Sequence, residues 1–476
     1  MFSRIRRRAR INRLPDGVPR QVLALASSLD PDGIPEALFT TAAVTGHLAV
    51  GADDVRAALR ELHRLRLIKN APVVRVPLDV RGNAGSFPET VAADALAELW
   101  PRTENGPGHA RMLRANVAAL HTDRLCESGV HRVLFRVTNS LGESGQPAAA
   151  IALLERMLDQ ALTSLGPDHP DVLAIRHNIA YWLGKSGREA AAVGLLTGLL
   201  EAEERALGPD HPGPLSTRRT LAELRGDPPE VLETLVADHV RVHGPDHPET
   251  FGTRGVLATR RGEDGDPAGA VAEFERLVTD LRRKRGDDDP ELLTARGNIA
   301  LWHAEGGNAR RAERIATELL PDVTRVLGPD AVQTLDLRAD IARFQGEASG
   351  SEDGAARTAA ALAGLVPDYR RVLGADHPRT LSLRTDVARW HTASGDRTAG
   401  VREYQSVHAD LLRVLGPDAD ETHLALIGAR SAAGDLDGMT DALEQVFRRD
   451  ERLLGADHPD TIAARARLED WRARLR

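Results

Sequence analysis

The sequence predicts an all-α fold, a solenoid of antiparallel helix pairs preceded by a small winged-helix-like domain. Hydrophobic residues make up 42% of the chain but aromatic residues only 3%. This composition favours helices, because sheets are enriched in aromatic and β-branched residues. A short phrase, Gly-Pro-Asp or a close variant of it, also recurs roughly every 42 residues, and a second glycine recurs between the phrases. Repetition at a period of this length is typical of solenoids.

The recurring phrase marks the boundaries between helices. It reads LGPDHP at residues 165–170 and 207–212. Glycine ends a helix easily because it adopts left-handed backbone angles without steric cost. We expect the aspartate to cap the next helix and the proline to occupy its first turn. The shared glycine that opens each phrase is Gly166, Gly208, Gly244, Gly286, Gly328, Gly374, Gly416 or Gly455.

A second glycine divides each repeat into two helices. Gly145, Gly187, Gly265, Gly307 and Gly395 are each followed five residues later by alanine or glycine, which predicts a tight turn between antiparallel helices. In the first helix of each pair, an aliphatic residue and an alanine usually stand 13 and 14 residues after the shared glycine. Position 16 often carries a large ring. Large and small residues on one stripe predict the packed side of the helix.

Two segments show the repeat most clearly, HNIAYWLGKSGREAA at residues 177–191 and GNIALWHAEGGNARRA at residues 297–312. They resemble tetratricopeptide repeats (TPRs) of the longer, 42-residue kinesin-light-chain-like type. The resemblance implies a right-handed TPR-like solenoid over residues 129–476, with about eight helix pairs and a C-terminal capping helix. It also implies a concave groove, lined by the first helices, that binds a protein or peptide segment.

Positions 12 and 15 after the shared glycine lie opposite the packed stripe, so we expect them to line that groove. Amide side chains there can hydrogen-bond an extended peptide, and charged ones can select the partner's charge. A solvated helix face is the alternative interpretation. The candidate groove residues are Asn178, Tyr181, Glu223, Asn298, Asp340, Arg343, Asp386 and Arg389.

An arginine recurs ten residues after the shared glycine, on the packed side of the first helices. Because an unpaired buried charge is unfavourable, we expect each arginine to meet an acid or carbonyl groups of a neighbouring element. A structural role is the main interpretation and anion binding the alternative. The members of this arginine ladder are Arg176, Arg218, Arg254, Arg296, Arg338, Arg384 and Arg465.

The segment before the repeats divides into three parts. Residues 1–16 form a basic arm, expected to be disordered, with six arginines in the first 13 residues. Residues 17–82 read as three helices and a strand pair, and residues 83–128 as a helical connector. Residues 29–40 and 53–68 resemble the winged-helix-like module of bacterial NB-ARC (STAND) signalling ATPases. The phosphate-binding loop of that family is missing, because the sole Gly-Lys-Ser (residues 184–186) has Ile179 where the loop needs glycine.

The third helix of that segment offers an alternative function, DNA binding through Arg56, Arg60 and Arg64. Acids at positions 53, 54 and 61 weaken this hypothesis, since duplex binding needs uncompensated cations. The rest of the chain is also acidic, because the overall net charge is −8 despite the basic arm. Nucleic acid is therefore the less favoured partner.

The repeated Asp-His pairs resemble catalytic dyads but fit helix caps better, and Cys126 is the single cysteine. We therefore expect no catalytic residues, no metal site and no cofactor. The sequence also lacks an apolar run that could span a bilayer and a secretory signal, which predicts a cytoplasmic location. The leading hypothesis is a non-catalytic protein–protein interaction scaffold or sensor. The alternatives are a transcriptional regulator with a DNA-binding winged helix and, less favoured, an enzyme with a pocket inside the superhelix.

Overall fold

The structure is a computed structural model and describes residues 10–11, 14, 16–69, 73–101, 107–456 and 459–475. Most of the predicted basic arm, residues 1–16, lies outside these ranges. The chain divides into two compact units. Unit 1 extends to Ser186 and includes Leu195–Ala206, and unit 2 contains Gly187–Gly194 and the chain from Leu207 onward.

The first part of unit 1 combines short helices with one small pair of strands. β1 (Ile34–Pro35) pairs antiparallel with β2 (Val73–Val74). Short 3-10 helices lie at Glu36–Thr40 and Arg124–Cys126. The α-helices are α1 (Val18–Ser28), α2 (Ala42–Leu48), α3 (Ala52–Arg64), α4 (Leu78–Arg81), α5 (Glu89–Leu99) and α6 (Pro107–Ala118). Its winged-helix-like character stays a prediction.

From residue 132 onward the described residues form helices that follow one another in pairs, which confirms the predicted all-α solenoid. The first helices are α7 (Arg132–Glu143), α9 (Pro170–Lys185), α11 (Pro212–Arg225), α13 (Pro248–Glu263), α15 (Pro290–Glu305), α17 (Val332–Ser349), α19 (Pro378–Ala393) and α21 (Asp420–Ala433). The second helices are α8 (Pro147–Leu165), α10 (Glu189–Leu207), α12 (Pro229–His243), α14 (Pro267–Arg285), α16 (Ala309–Leu327), α18 (Glu352–Val372), α20 (Arg397–Val414) and α22 (Leu436–Leu454). A single helix, α23 (Pro459–Leu475), follows them.

The helix caps differ from the expectation. Proline is the first residue of most first helices, so the cap is the residue directly before it, which is histidine rather than the predicted aspartate. Nδ1 of His169 accepts a hydrogen bond from the Asp171 backbone N–H at 3.2 Å. The same bond occurs at His211, His247 and His377, and Asp289 caps α15 with its carboxylate.

The aspartate of the phrase pairs instead with an arginine near the end of the second helix. Arg413 donates to both carboxylate oxygens of Asp376 at 2.9 and 2.6 Å and also contacts Asp410 at 3.1 Å. The bidentate bond from Arg413 lowers the pKa of Asp376. Such pairs join the start of a first helix to the end of its second helix. Equivalent pairs are Asp210–Arg241, Asp288–Arg325 and Asp330–Arg371.

Four members of the arginine ladder meet acids of the second helix in their own pair, as a structural role predicts. The most buried member is Arg384, which is 4% exposed. Its guanidinium donates to Glu403 at 2.8 Å and to Asp410 at 2.7 Å. Other ladder pairs are Arg254–Asp280 at 2.8 Å, Arg296–Asp322 at 2.9 Å and Arg338–Asp368 at 3.4 Å.

Tryptophans at position 16 pack against glycines of the preceding first helix. Trp302 on α15 lies over Gly262 on α13, where a Cβ atom would overlap the ring. Trp302 and Phe274 belong to a continuous core that extends from α13 to α17. The same glycine–tryptophan contact joins Gly142 to Trp182 and Gly346 to Trp390. The sequence had predicted the buried rings but not their glycine partners.

Three histidines form a row at the junction of α12 and α13. His239 is completely buried, and neither of its ring nitrogens has a side-chain hydrogen-bond partner in the described part of the chain. The His243 ring lies 5.5 Å from that of His239 and stacks on His247 at 4.5 Å. Burial, together with the charge of Arg219, lowers the pKa of His239. Burial likewise lowers the pKa of His243.

We expect acid to destabilise this junction, and His239→Leu to reduce the effect. The pKa of His239 in the folded state lies below that in the unfolded chain. Its contribution to the free energy of unfolding is therefore complete above about pH 6.5 and is lost as the pH falls toward the folded-state pKa. For each proton that the unfolded chain binds and the folded chain does not, the free energy of unfolding changes by at most about 1.4 kcal/mol per pH unit. The measurement is the urea midpoint at pH 7.5 and 5.5. The exposed control His63→Gln should follow wild type, whereas an equal fall in His239→Leu would contradict the assignment.

Candidate partner-binding surface

The first helices turn one side away from their second helices. On α15, Ile299, Ala300 and Trp302 are buried, whereas Leu301 between them is 39% exposed. We call this side the first-helix face and define it by positions 8, 12, 15 and 19 after the shared glycine. The same alternation occurs on α9, where Tyr181 is 39% exposed between the buried Ala180 and Trp182. The exposed side chains on this face are therefore not part of the buried core.

In unit 1 the face contains the candidates Asn178 and Tyr181. The Asn178 side-chain amide donates to the Ala174 carbonyl at 2.8 Å. The Tyr181 and Trp182 rings are nearly perpendicular, with their centroids 5.0 Å apart. The Lys185 ammonium lies 5.5 Å from the centre of the Tyr181 ring. Asn178, Tyr181 and Trp182 line an open cavity of about 250 Å³ together with Asn139, Glu143 and His177.

In unit 2, Glu223 on α11 is exposed and Asn298 on α15 is half-buried. Among the described residues, the Asn298 amide makes no hydrogen bond, so its donors and acceptor are available to a partner. Leu301, one helical turn further along, adds an exposed apolar side chain. An amide beside an apolar residue suits contact with a peptide backbone and one of its side chains.

The four charged candidates on α17 and α19 form one ion-pair network. Arg343 donates to Asp340 at 2.5 Å and to Asp386 of the neighbouring first helix at 2.8 Å. Arg389 lies 3.3 Å from the other oxygen of Asp386 and has its side chain 54% exposed. Burial raises the pKa of Asp340, against the opposing charge of Arg343. Arg343 is therefore held between two acids, while Arg389 remains open to solvent.

A tyrosine of the second helix borders this network. The Tyr369 hydroxyl on α18 donates to Asp336 at 2.6 Å, and Arg379 on α19 pairs with the same carboxylate. Burial raises the pKa of Tyr369. The contact joins residues 33 positions apart, which the local pattern of the first helices could not indicate.

The candidate DNA-binding arginines lie four residues apart along one side of α3. Arg56 pairs with Asp53 at 2.7 Å, and Arg64 lies 3.9 Å from Glu61. Arg60 is exposed and has no ion pair within the described residues. Two of the three charges are thus partly compensated within their own helix.

Neither metal-ligand chemistry nor a membrane span emerges from the residues that the structure describes. None of their His, Cys, Asp and Glu side chains forms a group of three or more suited to a metal ion. Within the same ranges, every helix is too short or too polar to cross a bilayer. Cys126 is buried, and burial raises the pKa of its thiol to about 11, which disfavours the reactive thiolate.

The comparisons with known proteins agree with this architecture. The tetratricopeptide repeat family model matches residues 172–213. No curated protein matches the chain. The repeat match and the helix pairs together support a protein–protein interaction scaffold of the TPR α-solenoid type.

Several solved structures are similar to parts of the chain. TPR-like repeats of a Podosopora anserina protein named after kinesin light chains are 22% identical, cover 44% of this chain and 98% of their own, and have a TM-score of 0.35. A Rap protein complexed with competence and sporulation factor is 9% identical over 72% of this chain and 98% of its own, with a TM-score of 0.47. A STAND protein with a TPR sensor from Pyrococcus horikoshii is 11% identical over 94% of this chain and 65% of its own, also at 0.47.

The cavity residues Asn139, Glu143 and His177 were absent from the sequence-based candidates. The helix α7 has no Gly-Pro-Asp phrase before it, so counting from a shared glycine could not reach Asn139 or Glu143. A comparison with the turn glycine, Gly145 against Gly187, would have found Asn139, since it aligns Asn139 with Tyr181.

Proposed function

We propose that the protein is a non-catalytic scaffold or sensor that binds a partner segment along its first-helix face. The observation that carries this proposal is position 15. It exposes Tyr181, Leu301 and Arg389, three side chains of different chemistry, at equivalent points of one repeated framework. A constant core with a variable exposed position is the arrangement that a recognition surface requires.

The chemistry of the face suits an extended protein segment. The Asn178 oxygen and the Asn298 amide can hydrogen-bond a peptide backbone. Tyr181 and Leu301 offer apolar area to bury. The network around Arg343 and Arg389 supplies fixed charges, which contribute specificity and association rate.

In this proposal, the N-terminal segment, residues 17–82, transmits the signal that the repeats have bound their partner. The order α1, β1, α2, α3, β2 supports its winged-helix-like assignment. The compensation of Arg56 and Arg64 by acids of the same helix favours a protein-facing role over DNA binding.

A charge exchange within the network tests the proposal. The variant combines Asp340→Arg, Arg343→Glu, Asp386→Arg and Arg389→Glu, which leaves the net charge unchanged and retains opposite charges at each contact. Displayed libraries of random 12-residue peptides are selected on the full chain. We expect wild-type protein to enrich a peptide motif and the variant to lose it by at least about tenfold, because each lost charged contact is worth on the order of 1.4 kcal/mol or more.

The matched control exchanges a pair away from the face, Arg282→Asp with Asp287→Arg, whose atoms lie 2.6 Å apart. It should enrich the wild-type motif. If wild type enriches no motif, or if the four-residue variant retains it, the first-helix face does not bind the partner as proposed.

A further inference from the structure

The cavity in unit 1 is formed by two consecutive first helices, α7 and α9. Its lining residues are Asn139 and Glu143 from α7 and His177, Asn178, Tyr181 and Trp182 from α9. Trp182 forms a firm wall because its ring lies directly on Gly142. The volume of about 250 Å³ is below the roughly 300–1,000 Å³ of drug-sized ligand pockets. The cavity therefore has room for one side chain of a partner.

Two groups of the lining offer hydrogen-bond acceptors. The Asn178 amide nitrogen is already bonded to Ala174, so the Asn178 oxygen remains as its acceptor. Glu143 adds a carboxylate, and a carboxylate has about four acceptor sites on its two oxygens. These groups complement a donor-rich side chain rather than another carboxylate.

The aromatic wall favours a cation. Tyr181 is exposed, and the Lys185 ammonium already lies 5.5 Å from its ring centre. This contact shows that the ring accepts a positive charge at a distance typical of cation–π pairs. A planar guanidinium can stack on such a ring while its edge donates to carboxylate and amide oxygens, which an ammonium cannot do.

We propose that this cavity binds an arginine side chain of the partner segment. The inference rests on the proposed function and adds the chemistry of one anchor residue. The guanidinium stacks on Tyr181 in place of the Lys185 ammonium and donates to the Asn178 oxygen and the Glu143 carboxylate. Recognition of the arginine is thus separate from the charged network of unit 2.

Nuclear magnetic resonance of the five tryptophan indoles tests the assignment in the full chain. The buried Trp182 Nε1 has no hydrogen-bond partner among the described residues, which makes its indole signal a local reporter. The probes are acetyl-Ala-Ala-Arg-Ala-Ala-amide and the same peptide with uncharged, isosteric citrulline. We expect the arginine peptide to shift the Trp182 signal saturably and the citrulline peptide to bind about tenfold more weakly, since charged hydrogen bonds are about twice as strong as neutral ones. The equivalent Trp302 signal should not move.

Two substitutions locate the binding. Tyr181→Ala and Asn178→Leu should each reduce the affinity for the arginine peptide by at least about fivefold, because each removes one contact of about 1 kcal/mol. Leu301→Ala, at the position of Tyr181 in another pair, should have no effect. A Trp182 signal that does not shift, or that responds equally to citrulline, would overturn the assignment. Peptide enrichment by display would then still stand, so failure of the anchor is distinguishable from failure of the scaffold.

Discussion

Gly262→Ala is expected to lower the free energy of unfolding by about 2 kcal/mol, although alanine favours helices more than glycine does. A methyl group at this position overlaps the Trp302 ring, which is 8% exposed and packed in the continuous core. Either the tryptophan leaves its rotamer or α13 and α15 move apart, and both changes disrupt the packing of neighbouring pairs. Urea unfolding followed by far-ultraviolet circular dichroism measures the effect.

Gly255→Ala is the matched control because it lies in the same helix. A Cβ atom at this position meets no atom within 4 Å. Alanine should therefore stabilise the protein by about 0.5–1 kcal/mol through helix propensity alone. In a double-mutant cycle, Gly262→Ala should lower the free energy of unfolding much less when Trp302→Leu is also present. Equal effects at the two glycines would show that the tryptophan contact is not responsible.

The sequence predicted the helix pairs because their boundaries are coded locally. Each shared glycine, such as Gly286 or Gly328, has a positive φ and lies one or two residues after the end of a second helix. The buried stripe was equally readable, since Ile299, Ala300 and Trp302 recur with helical spacing and are all buried. Local chemistry and periodicity were sufficient for both features.

The pairing partners were not readable, because they depend on contacts between distant residues. Arg384 meets Asp410 across 26 residues, and Arg343 meets Asp386 across 43. The periodic positions showed that a charge recurred, but not which acid would face it. The cap was misassigned for a different reason. With proline as the first residue of the helix, the capping position falls on His169 rather than on the aspartate before it.

The candidate site also combines features that the sequence could predict with others that it could not. Of the positions that the projection onto one helix face selected, Tyr181 and Arg389 are exposed. Arg343 and Asp386 are instead largely covered by their ion pairs. It could not anticipate the cavity between α7 and α9, since that space depends on the tryptophan seated against Gly142. Side-chain chemistry is thus readable position by position, whereas the shape between helices is set by packing.

Arg384→Met is expected to lower the free energy of unfolding by about 3 kcal/mol, the second large effect. The guanidinium is almost fully buried and donates to Glu403, Ser406 and Asp410. Methionine retains much of the aliphatic volume but leaves Glu403 without its arginine and Asp410 with Arg413 alone. A carboxylate that loses its partner beside a core is costly. Thermal and urea unfolding of the full chain measure the loss.

The same substitution at another ladder position provides the control. Arg338→Met removes an arginine whose side chain is 43% exposed and whose one ion pair among the described residues, with Asp368, is 3.4 Å long. Loss of this ion pair should lower the free energy of unfolding by less than about 1 kcal/mol, as for exposed ion pairs. High salt should make this decrease smaller still. Ladder arginines therefore differ in energy because of burial, although the sequence presents them identically. Equal losses at Arg338 and Arg384 would contradict this account and assign the ladder a burial-independent role, such as binding a shared anion.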